Sequence, residues 1–105
     1  MIDFTTREKK YLPVKLFDGT TVLLGVPKKK LYTKIVSLKK LLEDDTDIEN
    51  VYDEITETTA EILSNNKAGK EFTAKGIDDI MDIEDMSLII LEYGKFAGVV
   101  TGDPN

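Results

Sequence analysis

Apolar and polar positions change their rhythm along this chain. From Tyr11 onward they alternate. Leu12, Val14 and Leu16 share one side and Tyr11, Lys15 and Phe17 the other; after Asp18-Gly19 the return run from Thr20 places Val22, Leu24 and Val26 together. Alternation of this kind predicts strands. Asp-Gly between two of them predicts a hairpin closed by a two-residue type I′ turn, in which both central residues take positive φ. Pro13 has no N–H to give to a ladder, so its strand is expected at a sheet edge. A lone hairpin is marginal in water, so its apolar side must pack on the rest of the chain or pair with another subunit.

From Pro27, a residue suited to a helix entrance, the spacing becomes helical. Leu31, Ile35, Leu38 and Leu42 form one stripe, with Lys30, Thr33, Lys34, Ser37 and Lys40 on the remaining surface, which predicts a helix over about 29–42. Thr46-Asp47-Ile48-Glu49 has the form of a capping box. It opens a second helix over about 47–64, whose stripe is Ile48, Val51, Tyr52, Ile55, Ile62 and Leu63 with Thr58 and Thr59 filling the middle. Asn65-Asn66 and Gly69 tolerate left-handed backbone and predict the stop. Phe72 then reads as an apolar anchor and Thr73 as the N-cap of a short third helix, about 74–81, with Ile77, Ile80 and Met81 inward. Gly76 inside it costs about 0.5–1 kcal/mol relative to alanine. Asp82 caps a fourth helix over about 83–97, with Ile83, Met86, Ile90, Tyr93 and Ala97 on its stripe and Ile89 and Phe96 beside it. Asp82, Glu84 and Asp85 in its first turn favour the helix dipole.

The expectation is therefore an α+β fold: an N-terminal β-hairpin, about 11–26, packed on a bundle of about four helices. Residues 1–9 read as a flexible arm, 10–100 as a single domain and 101–105 as a flexible tail. With 105 residues, 41% of them hydrophobic, the chain fits one modest core.

Composition narrows the chemistry. There is no cysteine and no histidine, so disulfides, thiolate nucleophiles and imidazole bases or ligands are excluded. The serines, Ser37, Ser64 and Ser87, fall in predicted helices with no imidazole to activate them. No catalytic residues, metal ligands or cofactor site are nominated, and an enzyme is not expected. Asp45, Asp47 and Glu49 alternate like calcium ligands, but no glycine supplies the sharp turn and the run continues into a helix. The longest apolar run, Leu88-Ile89-Ile90-Leu91, is far short of a membrane span, and Met1 to Lys10 lacks a signal-peptide core. A cytoplasmic protein without membrane contact is expected.

The net charge of −6 is unevenly spread: residues 1–42 carry +7 and residues 43–105 carry −13. Such polarity suits head-to-tail alignment of subunits or a partner of mixed charge, and equally suits two solvated faces. Lys28, Lys29 and Lys30 sit at a helix start, where the dipole disfavours them; they read either as a partner-facing patch or as a solvated run. One arginine and an acidic total argue against nucleic acid.

In their order and spacing, three segments resemble the small tail assembly chaperones of long-tailed phages and prophages of Gram-positive bacteria. They are Val14-Lys15-Leu16-Phe17-Asp18-Gly19-Thr20 closing with Val26-Pro27; Glu61-Ile62-Leu63-Ser64-Asn65-Asn66-Lys67 with Gly69-Lys70 and Phe72-Thr73; and Ile80-Met81-Asp82-Ile83-Glu84-Asp85-Met86. They cover most of residues 12–97. Lys75-Gly76 departs from the acidic, helix-favouring pair the resemblance leads one to expect. The resemblance implies a function without chemistry. Proteins of this family bind the long helical tape measure protein in the infected cell, keep it soluble and help recruit tail tube subunits. They are then absent from the finished virion, which places them in the host cytoplasm. Some members also exist in a longer, frameshifted form whose added segment engages the tail tube protein.

A groove or apolar helix face would serve such a client, and many copies could coat it as a homo-oligomer. The end of the last helix, with Tyr93, Phe96, Val99 and Val100, is the candidate partner-binding surface; Tyr93 and Phe96 also read as ordinary core residues. Two alternatives stand beside the chaperone: a small acidic regulatory or adaptor module, and a structural head–tail or tail component of the virion.

Overall fold

The computed structural model describes residues 10–43 and 48–98. The expected arm over 1–9, the capping box begun by Thr46 and the tail beyond Gly98 lie outside those residues. Two strands, β1 (Leu12–Lys15) and β2 (Thr21–Leu24), precede the helices α1 (Lys29–Glu43), α2 (Tyr52–Ser64), α3 (Ala74–Ile80) and α4 (Ile83–Phe96), with a 3₁₀ turn at Ile48–Val51. The fold is α+β, a hairpin packed on helices, as the periodicity predicts.

The strands pair antiparallel with Leu12 opposite Leu24, Pro13 opposite Leu23 and Val14 opposite Val22. Val22 and Leu24 are buried and Leu12, Val14 and Leu16 pack beside them, so the alternating face meets the helices. The turn differs from the two-residue form. The Leu16 amide donates to the Thr20 carbonyl at 2.7 Å and the Gly19 amide to the Leu16 carbonyl at 3.0 Å. This makes a three-residue loop, Phe17-Asp18-Gly19, with Gly19 at φ +88° in the left-handed position. That is the pattern of a turn closed by a glycine bulge. The Asp18 carboxylate then accepts from both the Thr20 amide (3.0 Å) and hydroxyl (2.7 Å), which holds its pKa below the ordinary value.

α2 is the centre of the bundle and packs on α1, α3, α4 and β2. Ile55, Ile62, Leu63, Thr58 and Thr59 are fully buried on it. The Thr59 hydroxyl donates to the Ile55 carbonyl at 2.8 Å, and the Thr56 hydroxyl to the Tyr52 carbonyl at 3.0 Å. Both thus meet their hydrogen-bond demand within the helix. The Thr58 hydroxyl is buried without a partner. The α-helix starts at Tyr52, later than expected, because Val51 (φ −116°, ψ 9°) leaves the helical region and offers no side-chain cap.

α1 buries Ile35 and Leu38 as its stripe predicts, with Leu31 and Leu42 at the margin. α4 buries Met86, Ile90 and Tyr93. Its Asp82 carboxylate accepts from the Asp85 amide at 2.9 Å, and Asp85 accepts in return from the Asp82 amide at 3.1 Å. Thr73 caps α3 through the Gly76 amide at 3.0 Å. A Cβ on Gly76 would lie 3.1 Å from the Thr73 Oγ1, a tight contact that the cap would have to ease by a few tenths of an ångström. Ile80 does not point inward; it is 51% exposed, because the chain turns extended at Met81 and buries that residue in its place.

Candidate functional site

The connector after α2 does more than end a helix. Asn65 is not left-handed (φ −84°, ψ 54°) and its amide still bonds back to the carbonyls of Glu61 and Ile62; Gly69, at φ +74°, takes the left-handed form. From Asn65 the chain runs strand-like beside β2. The Gly25 amide donates to the Asn65 carbonyl at 2.8 Å, the Lys67 amide donates to the Leu23 carbonyl at 2.9 Å, and Leu24 and Asn66 form a bridge. The outer edge of β2 is thereby covered. On the other side, Leu16 faces β2, so by alternation Leu12 and Val14 do too, and Pro13 turns its nitrogen outward at the free edge of β1. Strand addition lacks an N–H donor there.

Three consecutive polar side chains hold this connector. The Ser64 hydroxyl donates to the Phe72 carbonyl at 3.1 Å and accepts from the Phe72 amide at 2.9 Å. Asn66 donates to the carbonyls of Leu63 and Lys70 and accepts from the Lys70 amide, all within 2.9 Å. Asn65 donates through Nδ2 to the Gly25 carbonyl at 3.1 Å and to the Tyr93 hydroxyl at 3.0 Å. The Tyr93 hydroxyl in turn donates to the Gly25 carbonyl. One amide and one phenol therefore tie the hairpin, the α2 terminus and α4 together. Burial raises the Tyr93 pKa above its ordinary value, with the Asn65 hydrogen bond opposing in part.

Around this tie lies an open groove of about 630 Å³. Its apolar surface comes from Tyr11, Val26, Phe96 and Ala97, and its charged groups are Lys10, Lys28 and Lys67. The Lys67 ammonium stands 5.4 Å above the Tyr11 ring. A second groove of about 640 Å³ lies between the start of α1 and α2; there Lys28 and Lys30 share the lining with Glu57 and Glu61, over Leu31, Ala60 and Phe72. Beside it the Lys34 ammonium meets Glu61 at 2.7 Å. That hydrogen bond raises the lysine's pKa, although the pair is solvent-accessible and contributes little stability.

Of the surface expected at the end of the last helix, Tyr93 is 0% exposed. It is a core residue whose hydroxyl is already used inside the molecule, and it meets no partner in this conformation. Phe96 is half-buried, its ring 6.0 Å from that of Tyr93, and it lines the first groove. Val99 and Val100 lie outside the described residues. Lys10, Tyr11, Val26 and Lys67 were not singled out by sequence as site residues. They meet Phe96 only because the connector pairs with β2, and neither periodicity nor spacing encodes that pairing.

Among the described residues no cluster of acidic side chains could hold a metal ion. No helix among them is long and apolar enough to cross a membrane. Comparison with family models, curated proteins and solved structures returned no match. The grooves offer apolar contact, ammonium groups and amides, and the one between α1 and α2 also carboxylates.

Proposed function

We propose that this chain is a phage tail assembly chaperone that binds and solubilises the tape measure protein and helps gather tail tube subunits around it. The observation that carries the reading is the groove beside Phe96, open at the end of α4 and backed by the Tyr93–Gly25–Asn65 tie. A surface held in one geometry spends little free energy on ordering when a partner docks. The order of hairpin, connector and capped last helix supports the family resemblance, and a helical client laid against a groove is a common recognition mode.

Co-expression with the tape measure protein encoded nearby tests the reading. The client is expected to stay soluble and to co-purify with this chain. A client that remains insoluble and fails to co-purify refutes it.

A further inference from the structure

The two grooves differ in what their charges lack. In the one between α1 and α2, Lys28 and Lys30 share the lining with Glu57 and Glu61. In the one beside Phe96 all the charged groups among the described residues are ammonium groups, and no described aspartate or glutamate lines it. Lys10, Lys28 and Lys67 make no salt bridge among the described residues. This concentration of positive charge lies on a chain whose total is −6. Between the ammoniums lies apolar surface that water still reaches: Val26 is 58% exposed, and Tyr11 and Phe96 are half-buried.

We propose that this groove seats an acidic segment of a protein partner, with carboxylates flanking an apolar side chain. Lys10, Lys28 and Lys67 meet the carboxylates, and Val26, Tyr11 and Phe96 receive the apolar group. The inference rests on the chaperone reading only in naming the tape measure protein as the source of that segment. The groove's volume suits a few side chains presented by one face of the partner segment. Lys67 is the best-placed of the three, since the Tyr11 ring beneath it restricts the ammonium to the groove. A nucleic acid is the poorer occupant. The described lining has no arginine, and the acidic remainder of the chain repels a long polyanion while acting weakly on a short segment held within a Debye length of the lysines.

The test uses the full chain and a synthetic amphipathic peptide with glutamates around a leucine, beside its Glu-to-Gln analogue and an oligothymidylate. Titration calorimetry reads affinity, and amide chemical shifts read position. The acidic peptide is expected to shift Tyr11, Val26, Lys67 and Phe96. Its binding should weaken steeply as salt rises and fall about tenfold in the double variant Lys10→Glu, Lys67→Glu. Lys30→Glu, which alters only the other groove, should leave it unchanged. All three lysines are exposed, and matching melting curves verify that the variants fold. Equal binding of the glutamine peptide, equal binding of the oligothymidylate, or shifts confined to Leu31, Ala60 and Phe72 each overturn the proposal. If the tape measure protein co-purifies equally with wild type and the double variant, this inference fails while the chaperone reading stands. If it co-purifies with neither, while the acidic peptide binds as described, the chaperone reading fails and the chemistry of the groove stands.

Discussion

At the scale of single residues, the buried polar side chains among the described residues divide into those that are hydrogen-bonded and one, Thr58, that is not. Tyr93 and Asn65 share the Gly25 carbonyl and bond to each other. Tyr93→Phe removes one donor and leaves Asn65 its bond to Gly25, so a loss of about 1–2 kcal/mol is expected, measured as a lower denaturant midpoint at unchanged slope. The same hydroxyl sets an alkaline limit. Its folded pKa lies above the unfolded value, so its contribution is complete below pH 10 and is lost as pH rises through the folded pKa. A pH series of melting temperatures should therefore fall more steeply above about pH 10 in wild type than in Tyr93→Phe. Thr58 is the opposite case. Its buried hydroxyl has no partner, so Thr58→Val, close in shape, is expected to raise stability by up to about 1 kcal/mol in the same denaturant assay. A clear destabilisation would mean that the hydroxyl has a partner in solution.

At the scale of elements, the helices and the hairpin were legible because their signals are local. The Thr73 and Asp82 caps lie where the sequence indicates them, and the stripes of α1 and α4 bury the residues their spacing selects. The turn type was missed because Asp-Gly is compatible with more than one loop length, and strand register decides between them. Ile80 was misplaced because a helix end, not a period, decides which of two adjacent apolar residues turns inward. The role of Asn65–Lys67 was illegible for a deeper reason. Its partner strand is about forty residues earlier in the chain, as the Asn65–Gly25 separation shows, and such pairing leaves no periodic trace. Tyr93, one of the four residues of the expected surface, is buried by the same tie that joins the connector to the hairpin. Gly76 belongs to this scale. Gly76→Ala gains helix propensity but presses a Cβ against the Thr73 hydroxyl, so a thermal melt within about 0.5 kcal/mol of wild type is expected instead of the usual gain.

Across the whole molecule, the hairpin is held by α2, by the connector and, through Tyr93, by α4. Asn65→Ala should consequently uncouple it. Hydrogen exchange at Val14 and Val22 is expected to accelerate well before the buried amides of α2, and uniform acceleration would refute this division. The Tyr93–Gly25 bond joins residues 68 positions apart in sequence. This separation also imposes an order on biosynthesis. While the ribosome is still making α4, the hairpin rests on α2 and the connector alone and lacks its Tyr93 anchor. The groove takes shape only when Phe96 and Ala97 have left the exit tunnel. Any partner of that groove therefore meets its full lining only after these two residues have emerged.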